Sequence, residues 1–224
     1  MLGLKRGEVR LFSHEKEWET EAARIIKKLR AVLGSAVFKI EHVGSTSVET
    51  IAAKPIIDIA AEVENFESVI ALKDELQKSG FYLRDCGLQN QLLLACGSFY
   101  DSTGDKQTAF VHVVKRNGKE WNDYINFKNY LRKYPSAAKE YERLKLELSK
   151  TASQNDRRKE YTDGKKDLIE YFLRKALVDS YLGKTVKIEI DRPIGYVHKK
   201  ANYSLTYPIN YGYIPGVIGG DGEE

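Results

Sequence analysis

Asp58 offers the clearest chemistry in this chain. It lies in the run Ile56 to Val63, whose alternation places Ile57, Ile59, Ala61 and Val63 on one face of a strand. Ile56, Asp58, Ala60 and Glu62 share the other. Upstream, Gly44-Ser45-Thr46-Ser47 reads as a turn where glycine permits close backbone approach. The three residues after it supply hydroxyl and N–H groups where a helix can begin, which suits an anion. A carboxylate beside such a turn outlines a site for phosphate and Mg²⁺, with Asp58 as the metal ligand. Lys54, just before Pro55, reads either as a phosphate ligand or as a solvent-facing lysine. His112 sits in the alternating run Gln107 to Val114, on one side with Thr108, Phe110 and Val114. It can act as acid, base or ligand, or simply be a half-buried histidine of the sheet.

Metal-dependent phosphoryl or nucleotidyl transfer asks for two carboxylates on one strand face. Neighbours at i and i+2 lie about 6.6–7 Å apart, a span suited to two cations roughly 3.5–4 Å apart. Here the i+2 position is Ala60, and Glu62 at i+4 lies about 13 Å along the strand. Half of a two-metal clamp is present. A lone aspartate at a strand end also serves as a structural hydrogen-bond acceptor, so both readings stay open.

These residues need elements to position them. Ser13 is a candidate N-cap for a helix repeating Trp18, Ala22, Ile25, Ile26, Leu29, Val32 and Leu33, ended by Gly34. Val37 to Val43 alternates as a strand, with Phe38, Ile40 and His42 on one side. Asn65 can cap a helix that carries Phe66, Val69, Ile70 and Leu76 to the core and closes at Gly80. Leu92 to Cys96 and Gln107 to Val114 read as strands joined by a hairpin-type loop, Asp101 to Asp105.

Three charged helices then follow, Lys119 to Tyr134, Ser136 to Ser153 and Asp156 to Asp179, the first two separated at Pro135. Solvated outer surface is the economical reading of their charge. The alternative is a basic lid of Lys128, Arg132, Arg158, Tyr161 and Lys165, in which Lys128 and Lys165 would reach phosphate. The order of elements predicts an α+β (α/β-like) fold, a small mixed β-sheet with helices packed on it. Beyond Tyr181 the pattern changes: Thr185 to Asp191 alternates, and Arg192-Pro193-Ile194-Gly195 makes a turn. That change places a domain at 1–178 and a short β-rich extension at 179–224.

Composition narrows the function classes. With 224 residues, 42% hydrophobic and 30% charged, the chain reads as a soluble globular protein with a proper core. A net charge of +4 does not indicate a nucleic-acid partner. No apolar run approaches the ~18 residues that span a bilayer, and Met1 to Arg10 lacks a signal-peptide core, so no membrane role is expected. Cys86 and Cys96 form neither a C-x-x-C nor a metal-ligand pair, which fits a reducing, cytoplasmic setting.

Glu41-His42-Val43-Gly44-Ser45-Thr46-Ser47-Val48, followed by Ala52-Ala53-Lys54-Pro55-Ile56-Ile57-Asp58, closely resembles the signature of the GrpB family. The resemblance continues through Phe110 to Val113, Phe127 to Arg132, Tyr134-Pro135, Tyr141, Leu144-Lys145 and Tyr161 to Lys165, covering roughly residues 8 to 178. It implies a nucleotidyltransferase-like fold and a small nucleotide or phosphate ligand held by Gly44, Ser45, Thr46, Ser47, Lys54, Lys128 and Lys165. Asp58 and His112 would be the catalytic pair. Departures from the family pattern bear on activity. The family commonly has a second Asp where Ala60 stands, Arg-Asp where Lys128-Asn129 stand, and Pro-Gly where Glu49-Thr50 stand. The resemblance thus implies a binding domain with weak or absent transferase activity. The alternative is a non-enzymatic folding or protein-interaction module, since a similar domain is fused behind dephospho-CoA kinase in some bacteria. A second stretch, Gly183 to Val186, Ile190 to Gly195, Tyr207 to Gly216 and Gly219 to Glu223, resembles the opening of an inorganic-pyrophosphatase-like domain. There Tyr211 and Asp221 match phosphate- and magnesium-touching positions, with Glu223 in place of the next acid. The stretch lacks the remaining strands of such a barrel, so it reads as an incomplete extension, a hairpin plus a mobile end, and pyrophosphatase activity is the least favoured reading.

Overall fold

The computed structural model describes residues 1–85, 87, 90–98, 106–152, 158–215 and 217, which divide into two compact units, Met1–Ala176 and Leu177–Glu224. The expected loop Asp101 to Asp105, Cys86, Asp221 and Glu223 lie outside the described residues.

In the first unit, β1 (Leu4–Lys5) is followed by α1 (Glu17–Leu33), β2 (Val37–Val43) and β3 (Ile57–Val63). Next come the short helices α2 (Glu67–Ile70) and α3 (Lys73–Lys78), then β4 (Tyr82–Arg84), β5 (Gln91–Ser98) and β6 (Lys106–Lys115). Helices α4 (Lys119–Lys133), α5 (Pro135–Ala152), α6 (Arg158–Asp163) and α7 (Lys166–Tyr181) follow. The strands form one mixed sheet in the order β2-β3-β6-β5-β4, with β1 on the first residues of β6. Only β3 and β6 run parallel among these pairs. This is the α+β architecture expected from the sequence.

Strand alternation sorts the sheet into two faces. Ile57, Ile59, Ala61 and Val63 join Val111, Val113 and Leu94 under Trp18, Ala22, Ile25, Leu29 and Leu33 of α1. These apolar groups leave water together, which is the main driving force for docking α1. On the opposite face, Val43, Ala60 and Val114 pack against Trp121 of α4.

The structure amends several sequence expectations. α1 begins at Glu17 rather than near Ser13, and Lys16 caps it without a side-chain bond; Gly34 does end it, at φ 53°. A bulge between Val37 and Lys39 lets Val37 and Ile40 both face the core and turns Phe38 outward beneath the Arg116 guanidinium, 4.1 Å from the ring centroid. The helix after Asn65 splits into α2 and α3; Val69 and Leu76 are buried, but Ile70 is exposed. The third charged helix also divides, into α6 and α7, and between them Gly164 packs so close to Leu148 of α5 that an added Cβ would lie 2.7 Å from a methyl group. Nor are the charged helices only solvated surface: Lys128 and Lys145 are both buried.

In the second unit, β7 (Glu189–Arg192) pairs antiparallel with β10 (Tyr211–Tyr213), and β8 (Val197–Lys200) pairs with β9 (Tyr203–Thr206) between them in sequence. The strand expected over Thr185 to Asp191 therefore starts later, and two nested ladders stand where one hairpin was expected. Arg192 holds this unit's aromatic cluster, donating to the Tyr207 hydroxyl at 2.7 Å and lying 5.2 Å from the Tyr211 ring centroid. None of the unit's described side chains is buried.

Candidate functional site

Gly44 and Asp58 fit each other. Gly44 has φ 68°, a left-handed value that glycine tolerates, and an added Cβ there would sit 2.5 Å from Asp58 Oδ2. The carboxylate and the turn therefore meet at backbone distance. The turn itself, Ser45–Ser47, is one 3₁₀ turn. Ser47 Oγ donates to the Gly44 carbonyl at 2.7 Å, and Arg132 of α4 donates twice to the Ser47 carbonyl, at 2.9 and 2.6 Å. Thr46 Oγ1 lies 2.9 Å from His42 Nε2. Burial pushes that imidazole down to about 4, with Lys128 and Arg132 adding to the effect and Asp58 opposing it.

The loop from Val48 to Ile56, which carries Lys54, is fastened as firmly. Ala52 N–H donates to Glu142 of α5, and Lys145 one turn later donates to the Ala52 carbonyl at 2.6 Å. Ala53 exchanges backbone hydrogen bonds with Phe12, and Gly3 N–H donates to the Pro55 carbonyl at 2.6 Å. Lys145 is 1% exposed. Desolvation lowers its ammonium to about 7, helped by Lys165 and Lys54 and opposed by Glu142.

Turn, loop and helices enclose a cavity of about 310 Å³. Gly44, Ser45, Thr46, Lys54, Ile56, Asp58, Phe110 and His112 line it from the sheet side, and Phe127, Tyr141, Tyr161, Thr162 and Lys165 from the helices. Seven of the nine residues predicted to form the site thus converge on one space. Ser47 and Lys128 do not: Ser47 is buried beneath the turn it stabilises, and Lys128 pairs with Glu41 at 3.1 Å. Lys165 stands beside Gly164 at the break between α6 and α7. Its ammonium lies 4.4 Å from the Tyr161 ring centroid, with that of Lys54 at 5.2 Å from the same ring. Burial lowers Lys165 to about 8, and Lys54 pushes in the same direction while Asp58 opposes. Tyr141, bonded to the Ser45 side chain, is pushed up to about 12 by burial.

His112 Nε2 is 3.7 Å from Asp58 Oδ1, and its ring lies 4.9 Å from that of Tyr124. Its Nδ1 is buried with no hydrogen-bond partner among the described residues. The residues that could complete a metal site are engaged elsewhere. Glu62 accepts the Asn117 N–H at 2.9 Å, and Glu41 holds Lys128. No group of three or more His, Cys, Asp or Glu side chains placed to hold a metal ion forms among the described residues. Tyr141, Thr162, Phe110 and Phe127 were not among the predicted site residues. For Phe127 and Tyr141 the aromatic stripe on charged helices was the available signal, and it reads equally well as ordinary helix packing; Phe110 on β6 and Thr162 carried no such signal.

The profile of the GrpB protein family matches residues 8–175. The glutamate-rich protein GrpB of Alkalihalophilus pseudofirmus is 34% identical over 175 residues, spanning 77% of this chain and 98% of that one. The chain belongs to the GrpB family. The crystal structure of the conserved protein GrpB from Enterococcus faecalis superposes with a TM-score of 0.68 at 28% identity, covering 77% of this chain and 99% of that one. The Cid1 poly(U) polymerase with Mg 3′-dATP bound gives a TM-score of 0.42 at 13% identity, over 61% of this chain and 41% of its own. That likeness is too slight to bear on activity. Among the described residues no helix is long and apolar enough to cross a membrane.

Proposed function

We propose that residues 1–176 form a phosphate- or nucleotide-binding domain of nucleotidyltransferase-like kind, with transfer chemistry weak or absent. One observation carries the reading. Lys54 and Lys165, from segments far apart in sequence, meet the Gly44–Thr46 turn across a single preformed cavity. Half-buried ammonium groups, hydroxyls and aromatic walls are what a small anionic ligand with a flat portion requires. The cavity favours this over a pure interaction module, which has no need to keep such a cleft clear of side chains. Weak catalysis follows from Ala60, fully buried under Trp121, where a second carboxylate would have to stand.

Calorimetric titration with inorganic phosphate, pyrophosphate and nucleoside mono- and triphosphates tests the proposal, with and without Mg²⁺. At least one should bind to the wild type and lose about tenfold or more in affinity in Lys165→Met, as removal of a charge-assisted contact predicts. Silence across the panel in both conditions would overturn it.

A further inference from the structure

We infer that Lys165 is a nucleophilic lysine, and that the cavity takes a small phosphate-bearing aldehyde or ketone whose carbonyl carbon condenses with its Nζ. The inference rests on the phosphate-binding reading above and adds a covalent step to it.

Placement comes first. Lys165 lines the cavity from the helix side at the break between α6 and α7, and it is half-buried, so a ligand inside can reach it. Its ammonium lies 4.4 Å from the Tyr161 ring centroid, and among the described residues no hydrogen bond or ion pair holds it. The two described lysines that are fully buried are engaged in structure. Lys128 pairs with Glu41 at 3.1 Å, and Lys145, 1% exposed, donates to the Ala52 carbonyl. Lys166, the next residue along, stands in solvent and pairs with Asp163 at 2.8 Å.

An amine attacks a carbonyl only in its neutral form, so a nucleophilic lysine needs surroundings that favour loss of its proton. Burial does this at Lys165, and Lys54, 5.2 Å from the same ring, pushes the same way; together they bring the group down to about 8 against the opposition of Asp58. Lys166 shifts the other way, raised by its bond to Asp163.

The step balances without a further reagent. The Nζ lone pair forms a bond to the carbonyl carbon, the carbonyl oxygen leaves as water with the two protons of the amine, and a C=N bond remains. Once protonated, that imine restores the positive charge the neutral amine gave up, in the same cavity as the phosphate. Walls of Phe110, Phe127, Tyr141 and Tyr161 limit access of water, which slows hydrolysis of the imine. The volume keeps the ligand small: about 310 Å³ is at the low end of the roughly 300–1,000 Å³ found for ligand sites.

Borohydride reduces an imine to a stable secondary amine, so peptide mass spectrometry can follow its formation lysine by lysine. The full chain is treated with pyridoxal phosphate, or with pyridoxal, which lacks the phosphate, and trapped at short times. Pyridoxal phosphate should label Lys165 at least about tenfold faster than Lys166, as the larger share of neutral amine predicts. Pyridoxal should be several-fold slower, and inorganic phosphate should protect. Lys165→Arg, which keeps the charge, should remove the fast phase. Labelling of Lys165 no faster than that of Lys166 would overturn the inference. Calorimetry with pyridoxine phosphate, an alcohol in place of the aldehyde, tells that failure from failure of the phosphate-binding reading. Binding of the alcohol, or of any phosphate in the panel above, leaves that reading standing; silence in all of them overturns both. Equal rates for pyridoxal and pyridoxal phosphate would overturn the ligand class inferred here. The comparison of Lys165 with Lys166 within the wild-type chain decides the matter even if the Arg variant fails to fold.

Discussion

The two faces of β3 divide the labour of this molecule. Ile57 and Ile59 are fully buried against α1, while Asp58, between them in sequence, keeps a side chain 34% exposed to a polar cavity. One strand thus serves stability with alternate residues and ligand chemistry with the others. The site face divides again along its length. Ala60 and Glu62 are buried, so only the Asp58 end, where Gly44 makes room, opens to a ligand. A pleated strand can combine these roles because neighbouring side chains point apart and face different solvents.

The contrast can be broken most directly from the core side. Ile59→Ala removes a fully buried side chain from the α1 interface and should cost about 2–5 kcal/mol, read as a lower urea midpoint at unchanged slope. A loss under about 1 kcal/mol would mean this face is not the core that the packing indicates.

Glu62→Ala leaves the Asn117 N–H without its acceptor and should cost about 1–3 kcal/mol. Glu62→Gln, which keeps an acceptor, should recover much of that in chemical denaturation. Stability of the wild type restored or raised by Mg²⁺ in a Glu62-dependent way would instead assign Glu62 to a metal.

Lys145 sharpens the comparison through pH. The unfolded chain holds this proton up to about 10.4, whereas the folded chain releases it near 7. Between those values the unfolded state binds more protons, so stability rises with pH, by about 1.4 kcal/mol per unit at most. Below 7 both states are protonated and the contribution is flat. Lys165 adds to the same trend above about 8. Lys145→Met should therefore flatten, without abolishing, the rise in Tm between pH 7 and 9; an unchanged slope would show that the buried ammonium is not its source.

The smallest effect is expected at Asp58. Asp58→Asn should move stability by less than about 0.5 kcal/mol, since the group is partly solvated and keeps its shape. A loss approaching that of Ile59→Ala would make Asp58 a structural acceptor, the alternative its position in the strand left open.

Much of this was legible beforehand. Alternation in Ile57 to Val63 separated core from site, because period two is a local property of extended backbone. Gly44 and Asp58 were both readable as site residues, but their contact, which explains the glycine, belongs to the β2–β3 pairing. The predicted phosphate ligands Lys128 and Lys165 looked alike on charged helices. Only packing separates them, since Glu41 claims one and the break after Gly164 delivers the other to the cavity. Lys145 was indistinguishable from a solvated lysine until α5 laid it against the Ala52 carbonyl.

By itself, then, the sequence determined the α+β class, the family, the two faces of β3 and the absence of an acid at position 60. Those follow from local periodicity and residue identity. Tertiary structure alone decided which cations become buried, that Glu62 and Glu41 have other partners, and that Lys54 and Lys165 share one cavity. Desolvation and charge pairing depend on which segments pack together, and no local pattern encodes that.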